Sequence, residues 1–260
     1  EHKMKNRIKY IVLMLILNSC VGKKVIFESD EETRNIPKGN IKSISFWSIS
    51  LNKKINDTLH IKVIYNNKNL PVQQKEYYEN GTLTTNLFYN SKDQLIKETF
   101  EGKTLNTYTY DSKGNLIENV YYKNDTISYV KKIYYDKKNN PIKEISIKND
   151  EIISTTNYTY DYSKNTVEIK IINSKQSVSE GSVRYTFNKK GFIIQREIIA
   201  ARTLTSIIEY DKFNHIKKLV NQNLTRTYIN KYDKKNNIVE VIKYENDVAV
   251  RKMNFDITYK

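Results

Sequence analysis

Side chains able to do nucleophilic, acid–base or metal chemistry are sparse in this chain of 260 residues: one cysteine, Cys20, and three histidines, His2, His60 and His215. They are too few for a His/Cys metal cluster, and a lone cysteine leaves no intrachain disulfide. There is no nucleophile elbow, no P-loop and no GxGxxG. Carboxylates recur at Asp111, Asp136, Asp161, Asp211 and Asp233, each directly after a tyrosine. Paired carboxylates serve glycoside hydrolysis, but an Asp that opens a turn is occupied by accepting from backbone N–H groups. The reading is a non-enzyme with no metal and no cofactor, and His215, just after a turn, is expected to face solvent. The remaining candidates are tyrosines, 21 in all. Tyr89, Tyr110, Tyr135, Tyr160, Tyr210 and Tyr232 each precede such a turn. Hairpins laid side by side place them on every second strand, about 9.5 Å apart, as a rail on which sugar rings can stack.

The elements that position this row can be read from its period. An aromatic followed by Asp or Asn occurs eight times, at Tyr65, Tyr89, Tyr110, Tyr135, Tyr160, Phe187, Tyr210 and Tyr232, at intervals of 21 to 27 residues, the range of repeat architectures. In Asp111-Ser112-Lys113-Gly114-Asn115 the Asp starts a type I turn and the Gly takes the left-handed position that closes a hairpin loop with a bulge. Asn69, Asp93, Asn139, Gly191, Asn214 and Asn236 stand at the equivalent place, all types that tolerate positive φ. The copy at Asp161 has Lys164 there and Asn165 one later, which predicts a loop longer by one residue. Between these turns lie tighter ones, Asn80-Gly81, Glu101-Gly102, Asn124-Asp125, Asn149-Asp150 and Asn246-Asp247, suited to two-residue hairpins. The strands that lead into the repeated turn alternate, with Leu87/Tyr89 or Tyr108/Tyr110 on one face and Asn86 or Thr107/Thr109 on the other; the return strands are mixed on both faces. The fold class is therefore all-β, an antiparallel up-and-down meander of repeated hairpins with about 16–18 strands over residues 41–260.

Met4 is followed by Lys5, Arg7 and Lys9, an apolar run Ile11–Leu17, and then Asn18-Ser19-Cys20. A basic start and a short apolar run form an export signal, too short to span a bilayer. Leu17-Asn18-Ser19-Cys20 resembles the lipobox of bacterial lipoproteins, which implies a signal peptide over 1–19 and lipidation at Cys20; Val21 after the cysteine implies the outer membrane. Residues 20–40, polar with Pro37 and Gly39, read as a tether. The net charge is +15. Only seven of the 44 basic residues are Arg, and the richness in Lys, Asn, Ile and Tyr reads as coding bias, with no nucleic acid expected as partner of an exported chain.

Tyr108-Thr-Tyr-Asp-Ser-Lys-Gly-Asn-Leu-Ile117 resembles the YD repeat of the RHS family, and Tyr78-Glu-Asn-Gly-Thr-Leu83 is similar to the MORN-variant repeat of some antitoxin-like proteins. The first resemblance implies an extended, curled sheet. The functional expectation is an outer-membrane, lipid-anchored envelope protein whose non-catalytic repeat sheet binds polysaccharide through the tyrosine row. The alternative is a protein-partner module of a toxin/immunity system, using exposed edge strands for pairing.

Overall fold

The computed structural model describes residues 38–51, 59–174, 181–200 and 203–260. The expected signal peptide, Cys20 and residues 20–37 of the tether lie outside them. Eighteen strands follow one another: β1 Ile41–Ser50, β2 Leu59–Tyr65, β3 Pro71–Tyr78, β4 Gly81–Tyr89, β5 Leu95–Phe100, β6 Lys103–Tyr110, β7 Leu116–Lys123, β8 Thr126–Tyr135, β9 Pro141–Lys148, β10 Glu151–Asp161, β11 Thr166–Asn173, β12 Ser182–Phe187, β13 Ile193–Ile199, β14 Leu204–Tyr210, β15 Ile216–Val220, β16 Thr225–Tyr232, β17 Ile238–Glu245 and β18 Val248–Tyr259. Every strand pairs antiparallel with its successor.

β18 also pairs back onto β1, from Ile41↔Tyr259 to Ser50↔Arg251. The up-and-down order matches the sequence reading, but the extended, curled open sheet does not: the sheet is a closed 18-stranded barrel. Closure removes both edges and satisfies the N–H and C=O groups that an open strip would leave bare. Eighteen strands about 4.8 Å apart give a circumference of roughly 86 Å, hence a backbone diameter of at least about 27 Å, more when the strands tilt.

The repeated turns explain the curvature. Asp111 N–H donates to the Asn115 carbonyl at 2.9 Å and Gly114 N–H to the Asp111 carbonyl at 3.0 Å, a pattern repeated at Asn66, Asn90, Asp136, Asn188, Asp211 and Asp233. Positive φ falls at Asn69, Asp93, Gly114, Asn139, Gly191, Asn214 and Asn236. Directly beside each of these turns the pairing register shifts by one residue, as between Thr109 and Tyr110, which is a bulge that bends and twists the strand. At Asp161 the loop is one residue longer, with positive φ at Asn165 and uninterrupted pairing of Tyr160 with Val167 and Asp161 with Thr166. At the other end, Glu101-Gly102, Asn124-Asp125, Asn149-Asp150 and Asn246-Asp247 have positive φ at both residues, the two-residue turn whose twist suits a hairpin.

Side chains lock the seam at the end where the repeated turns lie. Asn237, fully buried, accepts from Lys38 N–H at 2.6 Å and donates to the Lys38 carbonyl at 3.0 Å and the Tyr259 hydroxyl at 2.8 Å. Phe46 of β1 stacks on Phe255 of β18 with ring centroids 5.6 Å apart. Losing these bonds leaves buried groups unpaired, at about 1–3 kcal/mol. Asn237→Ala should therefore destabilise the barrel by about 2 kcal/mol, read from the denaturant midpoint of the fluorescence of Trp47, the only tryptophan. A loss below about 0.5 kcal/mol would show that the clasp does not hold the seam.

Candidate functional site in the barrel lumen

Among the described residues nothing packs outside the single wall of the barrel, so its buried face is the lumen. On β4, Thr85 and Leu87 are buried and Phe88 is exposed; on β6, Asn106 and Tyr108 are buried and Thr109 is exposed. On the return strands the bulge changes the spacing: Leu95 and Glu98 face in on β5, Pro71, Gln74 and Glu76 on β3, Ile238 and Val241 on β17. The lining differs around the ring. From β11 to β17 it is an apolar strip including Val167, Phe187, Ile208, Leu219 and Val241, whereas a smaller apolar cluster of Leu87, Leu95 and Tyr108 lies on β4–β6.

The β3–β10 side of the lumen carries a polar belt. On β3, Gln74 Nε2 donates to Glu76 Oε1 at 3.1 Å and the Tyr78 hydroxyl to Glu76 Oε2 at 2.6 Å. Glu98, with 0% exposure, accepts from Asn106 Nδ2 at 2.6 Å. Tyr121 and Tyr129 stack with centroids 4.0 Å apart. Glu144 accepts from the Tyr158 hydroxyl at 2.7 Å and pairs with Lys131 at 3.1 Å. Asn106 Oδ1 and Asn119 Oδ1 are buried without a hydrogen-bond partner. Three of these belt groups are carboxylates and one is a lysine, so the belt is acidic and rich in acceptors that want donors. Burial pushes the Glu98 carboxyl up from 4.5 to about 7, against the hydrogen bonds of Asn106 and Tyr108, which favour its charged form.

The tyrosines of the expected sugar rail line the turn end of this lumen, and most of their hydroxyls are bonded to the protein's own backbone. Tyr89 donates to the Pro71 carbonyl at 2.7 Å, Tyr110 to Leu95 at 2.8 Å, Tyr135 to Leu116 at 2.8 Å, Tyr160 to Pro141 at 2.9 Å and Tyr210 to Ile193 at 2.7 Å. Each hairpin is thus fastened to the one before. The last hairpins vary the clasp: Tyr232 bonds Asp211, Tyr259 bonds Asp233, and Asn230 Nδ2 takes over the Ile216 carbonyl at 3.2 Å.

The turn aspartates are caps. Asp136 Oδ1 accepts from the N–H groups of Lys138 and Asn140, both at 2.8 Å. Burial works against the charge of Asp111 and Asp136, but the side-chain and backbone hydrogen bonds outweigh it and hold both carboxyls below the usual range. His215 is buried, not solvent-facing as expected; its Nδ1 lies 3.0 Å from the Tyr232 hydroxyl. His60 stacks on Tyr77 and edge-on to Trp47. Among the described residues no three of His, Cys, Asp and Glu are grouped to hold a metal ion.

The outer wall carries charge ladders across neighbouring strands. Arg184 on β12 sits between Glu168 on β11 and Glu197 on β13, at 2.8 and 3.7 Å. Glu240 on β17 sits between Lys231 on β16 and Lys252 on β18, at 2.6 and 2.8 Å. A lipid-facing Arg or Lys at mid-bilayer costs about 2–4 kcal/mol, and strands such as β5, β12 and β15, of 6, 6 and 5 residues, fall short of the 9–11 that a membrane strand needs.

No protein-family model and no curated protein matches the chain. Among solved structures, a porin-like protein from Bacteroides uniformis is similar at a TM-score of 0.50 and 14% identity, over 85% of this chain and 99% of that one. A porin-like protein from Bacteroides vulgatus (TM-score 0.35, 10% identity, 68% of this chain and 94% of that one) and the Tc holotoxin pore of Photorhabdus luminescens (0.38, 13%, 77% and 10%) are too distant to carry an argument. The first likeness establishes the barrel fold. With the closed ring it overturns the lipid-anchored repeat-sheet scaffold for polysaccharide, and the partner module that pairs through edge strands loses the edges it needs.

The Glu98 carboxyl makes stability depend on pH. Folded, it keeps its proton to about pH 7; unfolded, it releases it near 4.5. The folded state binds more protons in between, so this contribution is full below about pH 4.5 and is lost as the pH rises through 7. The shift corresponds to on the order of 3 kcal/mol. Glu98→Gln should remove that part of the fall between pH 5 and 8 and be the more stable protein at pH 8. Parallel pH profiles of the two proteins would refute the assignment.

Proposed function

We propose that this protein is a porin-like barrel that works at the outer membrane and holds a small, amine-bearing polar solute in its lumen, without catalysis. The observation that carries the reading is the belt of Glu76, Glu98 and Glu144, with the open amide oxygens of Asn106 and Asn119 beside it, enclosed by a ring of strands that β1 and β18 close. A cationic amine supplies both the donors and the charge that this belt lacks.

The outer membrane as place of work is supported by the likeness to a porin-like barrel and by the basic and apolar residues 5–17, which read as an export signal. The charge ladders on the wall support a barrel that stands in water at that membrane, with its strands outside the lipid. The non-catalytic reading is supported by the positions of His60 and His215, one stacked between rings and the other bound to a clasping tyrosine.

Equilibrium binding of spermidine, glucose and citrate, as amine, polyol and carboxylate probes, tests the reading. Spermidine should bind at least tenfold more tightly than either of the others. Glu76→Gln with Glu144→Gln should weaken it about tenfold, the order expected for losing charge-assisted hydrogen bonds. Equal binding of citrate, or spermidine binding that the variants leave unchanged, would sink it.

A further inference from the structure

The even-numbered strands all run the same way, so the eight repeated turns gather at one end of the barrel and the two-residue turns at the other. The two ends differ in charge. The turns 66–70, 90–94, 111–115, 136–140, 161–165, 188–192, 211–215 and 233–237 each hold at least one lysine, eleven in all against six aspartates, a surplus of +5. All eleven lysines are exposed. The opposite hairpin ends 78–81, 100–103, 123–126, 148–151 and 245–248 hold seven acidic and three basic residues, and the sequence of the other four connections, 51–58, 174–181, 200–203 and 221–224, adds two acidic and four basic, for a surplus of −2.

A compositional surplus of lysine would fall on both ends alike. The lysines instead occupy the middle positions of a turn whose first residue is fixed as Asp or Asn and whose later one must tolerate positive φ. The aspartates of this rim are turned onto their own backbone: Asp136 and Asp233 each accept two backbone N–H bonds within the turn. Some lysines are held by neighbours, Lys68 by Asp93 at 2.7 Å and Lys138 over the Tyr162 ring at 4.1 Å. The flat circle of positive charge is at least about 27 Å across, far wider than one small anion. It fits a plane of negative charge.

We infer that the turn rim docks end-on to an anionic lipid surface. Clustered lysines gain from the potential of anionic headgroups within about a Debye length, and exposed Phe88, Tyr134 and Tyr162 lie beside the turns, where aromatic rings suit a headgroup layer. Exposed apolar residues such as Ile127, Ile152 and Val248 occur at the other end too, so charge selects which end meets the lipid. The acidic end then points away from the membrane. This inference is independent of what the lumen holds.

The test is sedimentation of the full chain with vesicles of phosphatidylcholine alone or with about 30% phosphatidylglycerol. It compares the parent with a rim variant, glutamine replacing Lys92, Lys113, Lys137, Lys189, Lys190 and Lys234, and a wall variant, glutamine replacing Lys62, Lys75, Lys97, Lys132, Lys170 and Lys218. The three share the apolar segment 11–17 and the two variants have the same net charge, so only the position of the charge differs between them. The rim variant should bind the anionic vesicles at least tenfold more weakly than the parent, and the wall variant within threefold of it. Equal weakening of both, equal parent affinity for the two vesicle types, or binding of soluble polyphosphate with none to vesicles would overturn the inference. If the rim variant does not keep the parent's unfolding midpoint, Lys189→Gln with Lys190→Gln, against Lys132→Gln with Lys170→Gln, makes the same comparison: a threefold loss confined to the first pair is expected, and equal losses overturn it.

Discussion

The unpaired edge is the constraint on which this structure depends. A meander of Tyr- and Ile-rich hairpins with no helix to cover its ends would expose two strand edges and invite other chains to pair with them. Here β1 and β18 take each other as partners along their length, and the main-chain bonds Leu51 to Val250 and Lys260 to Asn40 extend the seam at its two ends. Closure also defines an inside. The same hairpins laid out flat would present one tyrosine-bearing face to any ligand; rolled up, they enclose it.

Curvature comes from a local device repeated eight times. Each Tyr-Asp or Tyr-Asn turn ends in a left-handed residue and, in all copies but that at Asp161, is followed by a shift of register. In five copies the tyrosine before the turn then crosses to the previous hairpin and bonds its first carbonyl. The ring is thereby tied at one end by side chains as well as by the ladder. A hydroxyl bonded this way is structural, which is why a row of tyrosines that looks like a ligand platform in the sequence works as a row of clasps. The His215–Tyr232–Asp211 contact belongs to the same series: a histidine at the capped end of the turn replaces the usual Asn or Gln, as in Asn115 or Gln94, and is buried with it.

The turns, their left-handed residues and the inward face of the even-numbered strands were legible because each is a local property. Asp111 and Gly114 specify a loop with nothing else present, and Leu87/Tyr89 keep strict alternation. The return strands were not legible, because the bulge after the turn converts spacing by two into spacing by three: Leu95 and Glu98 share a face, as do Ile238 and Val241. An alternation template reads that as mixed. Glu98 was hidden for the same reason. In the sequence it is one of two charged residues on a return strand, and only the shifted register carries it into the lumen. Closure was illegible because it pairs residues more than 200 positions apart, such as Phe46 with Phe255, and no local pattern encodes the meeting of two ends.

Polarity is distributed over both surfaces of this barrel. A membrane barrel turns an apolar band outward and a polar surface inward. Here the outer wall carries the Glu168–Arg184–Glu197 and Lys231–Glu240–Lys252 ladders, while much of the lumen from β11 to β17 is aliphatic and aromatic. Burial of this lining contributes to the free energy of the fold, while the wall mixes these charges with exposed Ile142, Ile171, Ile207 and Ile229. Its two ends are unequal because the two kinds of turn have different chemistry. The longer turn has middle positions free for lysine, whereas the two-residue turn has only left-handed positions, which favour Gly, Asn and Asp. The charge difference between the rims thus follows from the backbone geometry that closes the ring.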